Sequence, residues 1–133
     1  MGLGYVVGET AGESLQSPVQ LVGTWQQVAV TNGKEVRPAK QDGTEVKLLH
    51  ITPTHFTRTV YNPKMKRILG IVGGACPLST DKHIETIEYG DDASLKAAEG
   101  TKALEFQVKL DRDILTLTLP DQGPYSEVWK RAK

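Results

Sequence analysis

The 133-residue chain has a single cysteine, no long apolar run and no excess of either charge. Each absence removes a class of function. Sixteen basic residues balance sixteen acidic ones without any block of like charge, so there is no electrostatic basis for holding nucleic acid or an anionic membrane surface. Cys76 alone cannot form an intrachain disulfide. That suits a reducing, cytoplasmic compartment and is also compatible with an exported protein whose signal has been removed. Followed by Pro77 in a strand-like stretch, Cys76 reads as a small buried apolar residue rather than a nucleophile. No segment approaches the roughly 18 apolar residues of a membrane-spanning helix, so membrane insertion is not expected. Met1–Gly8 is apolar but lacks the basic start and long core of a secretory signal, and Val6 breaks the spacing for N-myristoylation. Nucleophile-elbow, phosphate-loop and metal-hydrolase spacings are missing too. Gly70, Gly73 and Gly74 precede no helix and read as bend glycines.

Thirteen glycines, seven prolines and 38% hydrophobic residues describe a sheet protein with many turns. Residues 1–20 read as a tail or irregular lead-in, and residues 21–133 as one domain. Strand signals follow at short spacing: Trp25–Thr31, an Asn32-Gly33 hairpin signal, Lys34–Arg37, Val46–Ile51 and Thr54–Tyr61. Met65–Val72, Ala75–Ser79 and His83–Tyr89 come next, with Gly73-Gly74 as a corner. The only helix-like piece spans 91–99, with Asp92 or Ser94 as its cap and Gly100 as its stop. Lys102–Leu110, Ile114–Leu119 and Tyr125–Arg131 finish the chain, after a turn over Pro120–Gly123. Eight to ten strands joined by short turns predict an all-β, up-and-down antiparallel barrel, which leaves no open sheet edge.

Leu21-Val-Gly-Thr-Trp25 opens the first strand, and Glu127-Val-Trp-Lys-Arg131 closes the last. Ile51-Thr-Pro-Thr-His-Phe56 and the stretch from Gly73-Gly74 to Tyr89 lie between them. On these residues the chain resembles the calycin superfamily, and within it the small bacterial lipocalin-like domains, over about residues 21–132. The resemblance implies that Trp25 plugs one end of the barrel while Arg131 stacks on its indole. Fatty-acid-binding proteins share the Gly-Thr-Trp start. Their last strand grips a carboxylate with an Arg and a Tyr, and at the matching positions this chain has Glu127 and Trp129. A carboxylate facing a carboxylate is repulsive, which speaks against fatty-acid carriage. Residues 31–45 are also too short for that family's two-helix lid.

Alternation carried from Trp25 and Trp129 turns Gln27, Ala29, Tyr125, Glu127 and Arg131 toward the lumen. Arg58 shares a face with Phe56 and Val60, and the opposite face carries His55, Thr57, Thr59 and Tyr61; alternation leaves open which points inward. His83, Glu85, Ile87 and Tyr89 fall on one face of their strand. Three functions follow. The first is non-catalytic binding of a small, mostly apolar molecule, with Gln27, Arg58, Tyr125, Glu127 and Trp129 as lining. Phe56, Leu104 and Phe106 are further wall candidates. The second is an isomerase- or cyclase-type enzyme using His83, Glu85 and a tyrosine, Tyr89 among them. The third is a solidly packed barrel, held by a network such as Glu127 with Arg58, acting through its outer surface. An outer row on Ile114–Leu119 hints at a partner or a homodimer. His50 and His55 share no regular strand face, so neither a metal nor any other cofactor is expected.

Overall fold

The computed structural model describes residues 17–101, 103–121 and 125–132. Lys102, positions 122–124 of the expected turn and most of the lead-in (residues 1–16) lie outside the described residues. Among the described residues nine strands run in chain order: β1 (Gly23–Asn32), β2 (Glu35–Pro38), β3 (Val46–Ile51), β4 (His55–Asn62), β5 (Arg67–Ala75), β6 (Lys82–Gly90), β7 (Ala103–Asp111), β8 (Ile114–Leu119) and β9 (Tyr125–Arg131). One short helix, α1 (Asp92–Ala97), stands between β6 and β7. Every pairing is antiparallel, and β1 pairs with β9 to close the ring. Along its other edge β1 divides its partners. Gly23–Gln26 pair with β3, and Ala29–Asn32 pair with β2. No helix among the described residues is long and apolar enough to cross a membrane.

The period of two decides which side chains enter the barrel. On β8, Leu115 and Leu117 are fully buried, while Ile114, Thr116 and Thr118 face outward. The outer row expected as a partner surface therefore holds one apolar residue and two threonines. On β4 it is Phe56, Arg58 and Val60 that turn inward, opposite Ile51, Leu49 and Lys47 of β3. Trp25, Leu49, Ile51, Phe56, Phe106, Leu115, Leu117 and Trp129 pack one end of the barrel solid.

A 3₁₀ turn, Pro18–Leu21, forms the floor below this core. Ser17 caps it, its hydroxyl accepting from Val19 N–H, while Gln20 Oε1 accepts from Ser17 N–H. Leu21 is buried, so residues 17–20 of the expected lead-in are part of the fold. The carbonyl of Leu21 accepts from Trp25 Nε1 at 3.0 Å. Arg131 lies over the indole, its Cζ 4.1 Å from the ring centre. Its Nη1 and Nη2 donate to the carbonyls of Val22 and Gln20, at 3.2 and 2.7 Å. A side chain on Gly23, whose φ is +143°, would meet Arg131 Nη1 at 2.9 Å. Both the backbone angle and the guanidinium therefore hold the Gly-x-Trp glycine in place.

Three register shifts bend the sheet. Val28 is the extra residue on β1 opposite β9, Leu69 on β5 opposite β4, and Glu88 on β6 opposite β5. Each reverses the alternation beyond it. Val30 therefore faces Glu127 and turns inward where strict alternation points to Ala29. Tyr89 likewise swings to the outer face, opposite Gly73. Gly73-Gly74 does mark a bend, but β5 runs through it to Ala75, and Ala75–Ser79 is not a further strand. The first hairpin turns at Gly33-Lys34, one residue past the Asn-Gly signal.

Candidate functional site: a polar layer under a cavity

Above the packed end, side chains from β4, β6 and β9 meet in one charged layer. Arg58 is its centre. Nε donates to both oxygens of Glu85, at 2.8 and 2.9 Å. Nη1 and Nη2 donate to the two oxygens of Glu127, at 3.1 and 2.8 Å. The guanidinium carbon sits 5.3 Å from the centre of the Phe106 ring and 5.5 Å from that of Trp129, so aromatic faces flank the cation.

The layer extends in both directions. Glu127 also accepts from Tyr125 Oη at 2.9 Å and from Trp129 Nε1 at 3.3 Å. His83 Nε2 donates to Glu85 at 2.7 Å, and its Nδ1 lies 3.3 Å from Cys76 Sγ. With a proton on Nε2, Nδ1 is placed to accept the thiol proton. A continuous hydrogen-bonded chain thus runs from Cys76 through His83, Glu85, Arg58 and Glu127 to Tyr125. Such a network costs little when every member is partnered and much when one is lost.

Electrostatics follow from this enclosure. Burial opposes the charge on Arg58, but the Glu85 and Glu127 carboxylates outweigh it and raise the guanidinium above its ordinary value. Burial pushes the Glu85 carboxyl up, yet Arg58 and His83 more than offset that, and it ends below the ordinary range. Burial, with Glu85 adding to it, pushes the Cys76 thiol up to about 11. Burial and the Glu127 charge raise Tyr125 above its usual value.

Over the layer opens a cavity of about 830 Å³, within the range of small-molecule sites. Arg58, Glu85, Glu127, Trp129, Tyr125 and Gln27 supply its polar end. Val30, Val60, Val72, Ile87, Leu104 and Leu119 supply an apolar wall. Helix α1 reaches the rim with Ser94 and Ala97. Its cap is Asp91, one residue before the expected Asp92: Oδ2 accepts from Ser94 N–H and Oδ1 from Ile71 N–H of β5. The hydrogen bonds of Ser94 and Ile71 hold this carboxyl at a pKa of about 2 and tie the helix to the barrel mouth. A second hollow, of about 1180 Å³, lies on the flank beside Arg37–Gln41. It shares Gln27, Val30, Lys47, Leu48 and Tyr125 with the lumen, where β1 passes from β3 to β2.

All five residues expected to line a ligand site, Gln27, Arg58, Tyr125, Glu127 and Trp129, face this cavity. Phe106 and Leu104 join them, whereas Phe56 belongs to the packed end. The residues of the catalytic alternative are divided. His83 and Glu85 are buried in the layer, but Tyr89 lies outside the barrel with its hydroxyl 3.3 Å from Thr57 Oγ1. His50 and His55 are apart from His83, bonded to Thr24 and Thr54. Sequence reasoning missed Val30, hidden by the bulge, and the place of Cys76 at the end of the network. Nothing in the spacing of Cys76 and His83 signals their contact, which a loop and a strand bring about.

No family model matches the sequence, and no curated protein matches it. Two solved structures match the fold. One is an uncharacterized protein from Bacteroides eggerthii, with a TM-score of 0.63 and 18% identity over 84% of this chain and 98% of that one. The other is a lipocalin-like protein from Bacteroides uniformis, with a TM-score of 0.61 and 12% identity over the same shares.

Proposed function

We propose that this chain, whose fold is that of a bacterial lipocalin-like protein, binds a small, mostly apolar molecule in its lumen without transforming it. The observation that carries this reading is the cavity itself. A barrel that served only as a packed scaffold would fill both ends with side chains, and here one end is filled while the other is hollow. The polar layer orients one end of the ligand, and the valine and leucine wall takes the remainder.

Titration with N-phenyl-1-naphthylamine, an uncharged dye that brightens in apolar surroundings, tests it. The expected result is saturable binding of one dye per chain, weakened in Leu104→Trp, where the larger side chain takes up part of the cavity. Dye binding that does not saturate, or that persists unchanged in Leu104→Trp, would refute lumen binding.

A further inference from the structure

We infer that the ligand's polar end is uncharged and both accepts and donates hydrogen bonds, as a carboxamide does. This rests on the lumen reading above and adds the chemical class of the molecule. Three features of the layer lead to it.

The first is Gln27. The residue is 8% exposed, lines the cavity, and its side chain makes no hydrogen bond among the described residues. It stands at the one stretch of β1 between its pairings with β3 and β2, beside the Val28 bulge and opposite Trp129. A buried primary amide carries two N–H donors and one carbonyl acceptor, and leaving them unmet is costly. The other buried polar side chains among the described residues, His83, Glu85 and Glu127, are all partnered, so an amide left open toward a cavity is a recognition group. It asks for a partner that both gives and takes hydrogen bonds.

The second is the remaining capacity of Arg58. Its guanidinium has five N–H bonds, and the two glutamates engage Nε and one N–H each of Nη1 and Nη2. Two N–H bonds are left, on a side chain 21% exposed beneath the cavity. They offer donors to a carbonyl or hydroxyl oxygen. Tyr125 donates its proton to Glu127, so its oxygen faces the lumen as an acceptor.

The third is charge. One guanidinium faces two carboxylates, and even a protonated His83 would bring the layer only to zero. Lys47, the other cation on the wall, is exposed at the rim in water. A ligand carboxylate at the layer would therefore meet no net positive charge to offset its desolvation. A ligand ammonium would meet net negative charge but few open acceptors. Each Glu127 oxygen already accepts two hydrogen bonds, and the Glu85 oxygens accept from Arg58 and His83. Only Glu85 Oε1, which shares a single Arg58 N–H with Oε2, has room for a further donor.

The test is displacement of N-phenyl-1-naphthylamine at pH 7 by four probes of one chain length: dodecanamide, methyl dodecanoate, dodecanoate and dodecylammonium, each below its micellar concentration. The expected result is that dodecanamide displaces the dye at a concentration about tenfold lower than either charged probe, the scale of one added or lost hydrogen bond. It should also outcompete the methyl ester, which only accepts. In Gln27→Leu that advantage over the ester should shrink, Tyr125 being the acceptor that remains, and in Gln27→Met likewise if the leucine variant fails to fold. Equal or better displacement by dodecanoate or dodecylammonium would overturn the inference while leaving lumen binding intact. So would an amide advantage undiminished in both Gln27 variants. Absence of saturable dye binding would instead remove the lumen reading, and the inference with it.

Discussion

Arg58 is the residue on which the interior depends, because it is the cation that two buried carboxylates share. Replacing it with methionine keeps much of the bulk and leaves Glu85 and Glu127 facing each other without a cation. Removing one partner of a buried charge set costs about 3–5 kcal/mol. The pH dependence should also change sign. In the native chain the Glu85 pKa is depressed, so its stabilisation is complete above the unfolded value of 4.5 and is lost as pH falls below it. In Arg58→Met the buried Glu85 carboxyl, without its cation, should have a raised pKa, giving stability that is present at low pH and lost as pH rises. Urea midpoints at pH 3.5 and pH 8 should therefore rank oppositely in the two proteins; the same ranking would show that Arg58 does not set the ionisation of the layer. Trp25 is the second residue to probe. Fully buried under Arg131, it should cost about 3–5 kcal/mol on replacement by alanine. A loss below about 1 kcal/mol in chemical denaturation would show that the floor does not rely on it.

At the scale of elements, the bulges decide what alternation alone cannot. Val46–Ile51, Ile114–Leu119 and Tyr125–Arg131 have the bounds their sequence patterns suggest, because nothing interrupts their period of two. On β1 and β6 one inserted residue reverses the faces, so Ala29 gives way to Val30 and Tyr89 leaves the face of His83 and Glu85. No turn chemistry in the sequence announces an inserted valine or glutamate. Gly74 does announce the β5–β6 bend, for a steric reason. A Cβ there would lie 1.8 Å from the carbonyl oxygen of Thr86, a backbone atom that cannot swing aside. Gly74→Ala should lower stability by about 1–3 kcal/mol or more as the strands separate to admit the methyl group. An unchanged urea midpoint would mean the bend is looser than its geometry. The polar layer was legible only in part. Arg58 with Glu127 follows from the need to pair charges inside a barrel, but Glu85, His83 and Cys76 come from separate segments whose alignment depends on register.

The whole molecule is a barrel in two halves: a packed end sealed by Trp25 and Arg131, and a hollow end, with the Arg58 layer between them. This division explains why the Gly-x-Trp motif reports the architecture and is silent on the contents. The motif belongs to the floor, and the residues that would meet a ligand sit two layers above it. The most direct measurement is a crystal structure of the protein soaked in 1-bromonaphthalene, with the bromine located by its anomalous scattering. The expected result is a peak inside the barrel, among Val60, Val72 and Leu104 and above Arg58. A lumen filled by side chains, or bromine found only on the outer surface, would contradict the account.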